Sequence, residues 1–441
     1  MKLIKYLIAC GIAAAGFAPS AYAFHAGGVA ECEGCHTMHN SLEGAGMSGN
    51  LPQFQSGPFL LQANQPSGAC LNCHQVTETV GGSYHISSGG ITPNTLGTSN
   101  TGVPVEFSPG GDFAWLKMNM TGGRGATYPG ERNGHNIVSS DFGFVADSIQ
   151  NVAPGGSYPS ANLACSSCHD PHGRYRRDIA GNESTTGLPI WTSGSYTTAA
   201  AVPTATADVG AYRILGGIGY QPKSTPGFPF VNPTPVAVAP SSYNGINTSI
   251  AGNVTAGDRV AYGSNMSEWC ANCHTAMHKD TLYTSGTTHL VHPAGNIQKL
   301  TAAVVANYNA YISSGVAGTP PDGAYSALAP FETGNGRTLA DYTALKTFQA
   351  TPVNATTSNN VMCLSCHRAH ASAWESDTRF MLATTFTTTA SAAGGGTAIY
   401  DSTAGTEGYN SAQQTAAYNG RPATLFGPYA RNYCNKCHAK D

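Results

Sequence analysis

Twelve of the chain's 13 cysteines fall into six C-x-x-C pairs, and a histidine directly follows every pair. The pairs are Cys32/Cys35, Cys70/Cys73, Cys165/Cys168, Cys270/Cys273, Cys363/Cys366 and Cys434/Cys437. The following histidines are His36, His74, His169, His274, His367 and His438. For this many Cys and His residues, chance alone gives roughly 0.01 such motifs. Six disulfides would use the same cysteines in an oxidising compartment, but they would explain neither the spacing nor the histidines. Zinc knuckles and iron–sulfur clusters do not demand a histidine after each pair either.

The chemistry that needs this pattern is covalent haem attachment. Each thiol forms a thioether with one vinyl group of the same haem, and the next residue is placed to ligate the iron through its imidazole. The motifs therefore predict six haem c groups. Nine further histidines remain: His25, His39, His85, His135, His172, His278, His289, His292 and His370. Six irons with two imidazoles each would need six of them, so supply exceeds demand. That surplus favours closed irons and electron transfer over an open, catalytic iron. His39, His172 and His370 each follow a proximal histidine by three residues, in CHTMH, CHDPH and CHRAH. The macrocycle stands between such a residue and the far face of its own haem, so each is expected to serve another haem. His85, His135 and His292 lie in turn-forming, helix-poor sequence and are further candidates for distal ligands. His25, near the mature N-terminus, and His278, four residues after His274, stay open as replacements. His289 is the weakest candidate.

Residues 1–23 read as a secretory signal, with Lys2 and Lys5, the apolar run Leu7 to Phe17 and an A-x-A site at Ala21-Tyr22-Ala23. Residues 24–441 then form one haem-bearing domain, expected to be exported through the periplasm. Cys10 leaves with the signal. No other stretch reaches the roughly 18 apolar residues that span a bilayer.

Only 10% of residues are charged, while Gly (53) and Pro (26) are abundant. Intrinsic helix and strand preference is low over long stretches. The expected fold is that of a multihaem cytochrome: mostly loop, with a few short α-helices at the motifs and little β-structure. The haems supply the core, and their binding contributes folding free energy. Motif starts are 38, 95, 105, 93 and 71 residues apart, so no repeat of fixed length exists. Net charge is −3, and propionates make the loaded protein more acidic, which argues against nucleic-acid binding. Arg174, Arg176 and Arg177, just after CHDPHG, are candidate propionate partners or a solvated basic cluster.

The flanking residues carry a resemblance. FHAGGVAECEGCHTMHNS (Phe24 to Ser41), SYHIS, CSSCHDPHGRYRRD, AYRILGGIGYQPKS, MSEWCANCH, HPAGN, CLSCHRAHAS and CNKCHAKD resemble the OmcS-like family of outer-surface cytochromes. The resemblance covers nearly the whole chain and all six motifs. It implies six bis-histidine haems in one continuous chain, within subunits that polymerise into conductive filaments. It also implies that His39 ligates the fifth haem, held by Cys363, Cys366 and His367, of the neighbouring subunit. The implied partners are other copies of the chain, cytochromes as electron donors, and extracellular acceptors such as metal oxides, electrodes or cells. Two readings stay beside this one: a monomeric periplasmic or surface shuttle, and a multihaem reductase with one open iron.

Overall fold

The computed structural model describes residues 32–42, 45–46, 55–75, 85–91, 102–121, 127–177, 182–185, 209–238, 260–278, 283–285, 289–310, 330–334, 341, 344–345, 355–382, 386, 388–390, 396–398, 409–418 and 434–438. The expected signal peptide and His25 lie outside these residues.

Irregular backbone dominates, as the composition demands. Among the described residues the α-helices are α1 (Pro66–His74), α2 (Cys165–Cys168), α3 (Met266–Cys270), α4 (Ala302–Ala310), α5 (Cys363–Cys366), α6 (Ser411–Ala417) and α7 (Cys434–Cys437). Five of the seven carry attachment cysteines, and the first motif sits on a 3-10 turn, Cys32–Gly34. The strands are two to four residues long and form small antiparallel ladders, such as Val236–Val238 with Ala261–Ser264. Among the described residues no helix is long and apolar enough to cross a membrane.

Consecutive motif helices dock through one repeated device. The serine three residues before Cys70 in α1, Ser67, accepts the backbone N–H of Cys165 at 3.3 Å. The serine at the same place before Cys270, Ser267, accepts the N–H of Cys363 at 3.0 Å. Both serines are fully buried, and each satisfies an N–H at the start of the next motif's helix, which has no partner inside that helix. The second motif is thereby fixed to the third, and the fourth to the fifth.

A second device recurs at the first, third and fifth motifs. A pair of residues in the left-handed region stands against each: Phe59-Leu60, Arg213-Ile214 and Ser376-Asp377. The second carbonyl of each pair accepts the N–H just after the motif histidine, from Thr37, Asp170 and Arg368 at 2.7, 2.7 and 2.8 Å. The second cysteine of each motif returns a bond from its carbonyl to Gln62, Gly216 or Arg379. Left-handed backbone costs roughly 1–2 kcal/mol per residue with a Cβ. Such strain persists only where the surroundings over-determine it. Here the reciprocal backbone bonds do so.

Apolar side chains gather around the attachment points. The largest cluster holds Phe113, Trp115, Trp374, Phe380, Tyr409 and Tyr418, with Cys165, Cys366 and Cys437 packed against its edge. A second cluster, with Tyr212, Tyr262, Met266, Met362 and Leu364, packs on Cys168. A third, with Tyr175, Tyr220 and Phe230, packs on Cys273.

Candidate functional site

The left-handed turns aim the motif histidines. Nδ1 of His36 lies 3.0 Å from the carbonyl of Phe59, Nδ1 of His169 2.7 Å from that of Arg213, and Nδ1 of His367 2.8 Å from that of Ser376. His274 makes the same bond to the Pro154 carbonyl at 2.9 Å. A carbonyl only accepts, so Nδ1 donates and Nε2 is left as the lone-pair nitrogen. That is how a second-shell bond selects the tautomer of a metal-binding imidazole. The chain comes close enough to the fourth motif because of Gly156, where a Cβ would collide with the Cys273 carbonyl.

The rings then pair. His172 faces His36 with centroids 6.5 Å apart and planes 6° from parallel. His370 faces His169 at 6.4 Å, His135 faces His274 at 6.0 Å, and His292 faces His438 at 6.0 Å. An imidazole nitrogen lies about 2 Å from a bound transition-metal ion and about 1 Å from its ring centre, so two rings across one ion have centroids roughly 6 Å apart. All four pairs meet that requirement. In each, one ring is a motif histidine and the other is one of the spare histidines.

His85 belongs beside His74 by its backbone: Ile86 N–H donates to the His74 carbonyl at 3.0 Å, and Gln75 bridges Ser87. His39 is exposed, next to Met38, which is 70% exposed. Among the described residues no imidazole faces either His39 or His367. His278 pairs instead with Glu268, Nε2 to Oε1 3.6 Å. His289 lies in the short strand His289–Val291.

For His135, His169, His274, His367 and His370, burial favours the neutral form, the one that binds a metal. Desolvation, reinforced by His274, pulls His135 down to about 4. Desolvation, reinforced by His169 and His135, pulls His370 down to about 3. His169, His274 and His367 are lowered by burial in the same way. His370 also stacks on Phe113, with centroids 4.5 Å apart. Gly134 lets the backbone of His135 lie against His370, whose carbonyl accepts the His135 N–H at 2.8 Å.

The cysteines set the order of the motifs in space. Burial pushes the Cys35 thiol up to about 11, and Cys70 and Cys73 of the next motif push it the same way. Cys70 and Cys165 share a thiol hydrogen bond, as do Cys270 and Cys363. Burial pushes Cys168 up to about 12, with Cys273 as its charged neighbour. Burial does the same to Cys366, with Cys434 and Cys437 as neighbours. Every motif therefore adjoins the next in sequence, from first to sixth. None of the described cysteines is in a disulfide.

Some features escaped the sequence. Arg177 is buried against Thr234 and Glu183 rather than standing in a solvated cluster, and Arg174 is paired with Asp170 at 3.1 Å. The left-handed turns that anchor the motif histidines carry no motif that could have announced them.

This donor set suits a chain of covalently attached haems: paired thiols on short helices, an anchored histidine after each pair, and facing imidazoles at metal-spanning distance. No family model matches the chain. It is 52% identical over 435 residues, covering 96% of both chains, to the C-type cytochrome OmcS of Geobacter sulfurreducens. Its fold matches two solved filament structures, the cryo-EM structure of the OmcS nanowires from Geobacter sulfurreducens and the Outer Membrane Cytochrome S filament of the same organism. Each match has a TM-score of 0.78 and 50% identity, covering 95% of this chain and all of the other. The chain is a c-type cytochrome. Within that class it belongs to the OmcS family.

Proposed function

We propose that the chain is an exported electron carrier of the cell surface, with six haem c groups, whose subunits join head to tail into a conducting filament. The haem irons supply reversible one-electron exchange when bound. The twelve motif cysteines attach the haems, and His36, His74, His169, His274, His367 and His438 are the proximal ligands. The distal ligands are His172 for the first haem, His85 for the second, His370 for the third, His135 for the fourth and His292 for the sixth. Residues 24–441 form one six-haem unit once residues 1–23 are cleaved.

One observation carries the polymer. The second histidine of the third motif, His172, faces the first motif's His36. The second histidine of the fifth motif, His370, faces the third motif's His169. Both reach back by two motifs. Continued past the N-terminus, the same step takes the exposed His39 of the first motif to the fifth motif of a neighbouring subunit. His367 there is the proximal histidine for which the described residues offer no facing ring. The likeness to the OmcS filaments supports the same assembly.

Electron microscopy of the secreted protein tests this reading. Filaments are expected from the unaltered chain, and dispersed particles from His39→Ala with five bis-histidine haems retained. Filaments of normal length from His39→Ala overturn trans ligation. Dispersed particles from the unaltered chain favour the monomeric shuttle.

A further inference from the structure

A buried carboxylate and the buried Nδ1 of a partly exposed imidazole confront each other with no hydrogen bond between them. Neither carboxylate oxygen of Asp377 has a hydrogen-bond partner, nor has Nδ1 of His135. Asp377 is 6% exposed. Its Oδ2 lies 3.9 Å from Nδ1 of His135. Orphaned polar groups in a folded interior need an explanation, because each costs roughly 1–3 kcal/mol.

The backbone does not require an acid here. Asp377 is the second residue of the left-handed turn at the fifth motif, and Leu60 and Ile214 hold the same place at the first and third. The turn therefore closes with an aliphatic side chain too. What distinguishes the fifth-motif turn is its neighbour, since the short 3-10 turn Gly130–Arg132, two residues before Gly134-His135, is tied to it by the Arg132–Glu375 ion pair at 2.6 Å. The other anchored imidazoles offer a contrast. His36, His169, His274, His367 and His292 all direct Nδ1 at a neutral peptide carbonyl. His135 instead has a carboxylate oxygen 3.9 Å from Nδ1, with the Ala369 backbone also within reach of its ring. Burial raises the Asp377 carboxyl well above the usual carboxylate range, and Arg368 and Arg379 pull it back toward the ionised form.

We propose that Asp377 is a positioning residue that accepts the Nδ1–H of His135 and lowers the reduction potential of the haem carried by the fourth motif. This rests on the reading that His135 and His274 share one iron. An anionic acceptor behind a ligating imidazole makes it a stronger donor, and that favours the more positive metal state. The same turn holds His367 through the Ser376 carbonyl, so adjacent residues govern the ligands of two successive haems. The fourth haem is thereby set apart from its neighbours in energy by one side chain.

The test is a potentiometric titration of the haem-loaded protein, unaltered and as Asp377→Asn, Asp377→Glu and Glu375→Gln, with low-spin signals counted by EPR. In Asp377→Asn one couple of the six is expected to rise. At a fixed applied potential the oxidised-to-reduced ratio of that haem falls about tenfold, equivalent to about 59 mV for one electron. Asp377→Glu restores most of the difference, and Glu375→Gln, which removes only the exposed ion pair to Arg132, moves the couple by much less. The proposal is overturned if Asp377→Asn keeps all couples in place with the low-spin spectrum intact, or if Glu375→Gln shifts the same couple equally. Should Asp377→Asn fail to load haem, EPR of the unaltered ferric protein decides. One haem of the six is expected to show a g-spread compressed relative to the other five, because an Nδ1–H held by a carboxylate gives its imidazole partial anionic character, and its absence sinks the proposal. Failure of the ligation reading itself appears separately, as fewer than six low-spin haems before any substitution.

Discussion

His172 presents its ring to His36 almost in parallel, 6.5 Å between centroids, although the two belong to different motifs. On the proposed ligation, the residue that closes the first iron is carried by the third motif. Removing it with His172→Ala is expected to leave one five-coordinate, high-spin haem among five low-spin ones, and added imidazole should restore the sixth. The high-spin signal must vanish when Cys32 and Cys35 are also replaced by serine. If it persists, the ligand belongs to another haem.

The docking serines should be worth measurable stability. Ser67→Ala strands the buried N–H of Cys165, and Ser267→Ala strands that of Cys363. Loss of such a cap costs about 0.5–2 kcal/mol. Both variants are expected to melt at lower temperature by calorimetry, with an unchanged haem spectrum at room temperature. A melting point equal to the parent's in both would mean that the serines dock nothing.

Glu332 gives a pH signature. It is fully buried, and one oxygen accepts the Met266 N–H at 3.3 Å. Burial, with Glu268 nearby, pushes it from 4.5 up to about 8. The folded state therefore holds a proton that the unfolded state has released, and stability falls as pH rises from about 4.5 to about 8. Glu332→Gln should flatten that part of the profile and exceed the parent in stability at pH 8. Denaturant midpoints measured across this range decide; parallel profiles would refute the assignment.

The polypeptide should not fold without its haems. Among the described residues the helices span at most nine residues and the strands four. Isolated helices of that length are marginal in water. A chain with its twelve motif cysteines replaced by serine is expected to show neither a cooperative melting transition nor a dispersed NMR spectrum. A sharp transition would mean that the apolar clusters suffice alone.

The motifs were legible because the chemistry fixes their spacing within five residues. So were short helices at the motifs, as at Met266–Cys270. His172 and His370, expected to serve haems other than their own, face histidines of other motifs. The actual pairings were not legible. His135 and His274, or His292 and His438, meet through chain paths that no local pattern encodes. The repeated turn was hidden for a different reason. Phe59-Leu60, Arg213-Ile214 and Ser376-Asp377 share backbone angles but no residue type. The turn follows its histidine by 9 residues in the fifth motif and 44 in the third. A repeat of conformation at variable distance leaves no period in the sequence. The unequal motif spacing therefore concealed an architecture that repeats every second motif.

The use of peptide carbonyls as anchors has an evolutionary consequence. Every residue has a main-chain oxygen, so a point mutation at Phe59, Arg213, Pro154 or Ser376 changes a side chain and leaves the acceptor in place. The orientation of these imidazoles is thus buffered against substitution and exposed to insertion and deletion, which displace the carbonyl itself. Lineages of such chains can drift in composition between motifs while the paths of a few short turns are held fixed, since one residue gained or lost there would turn a ring away from its metal.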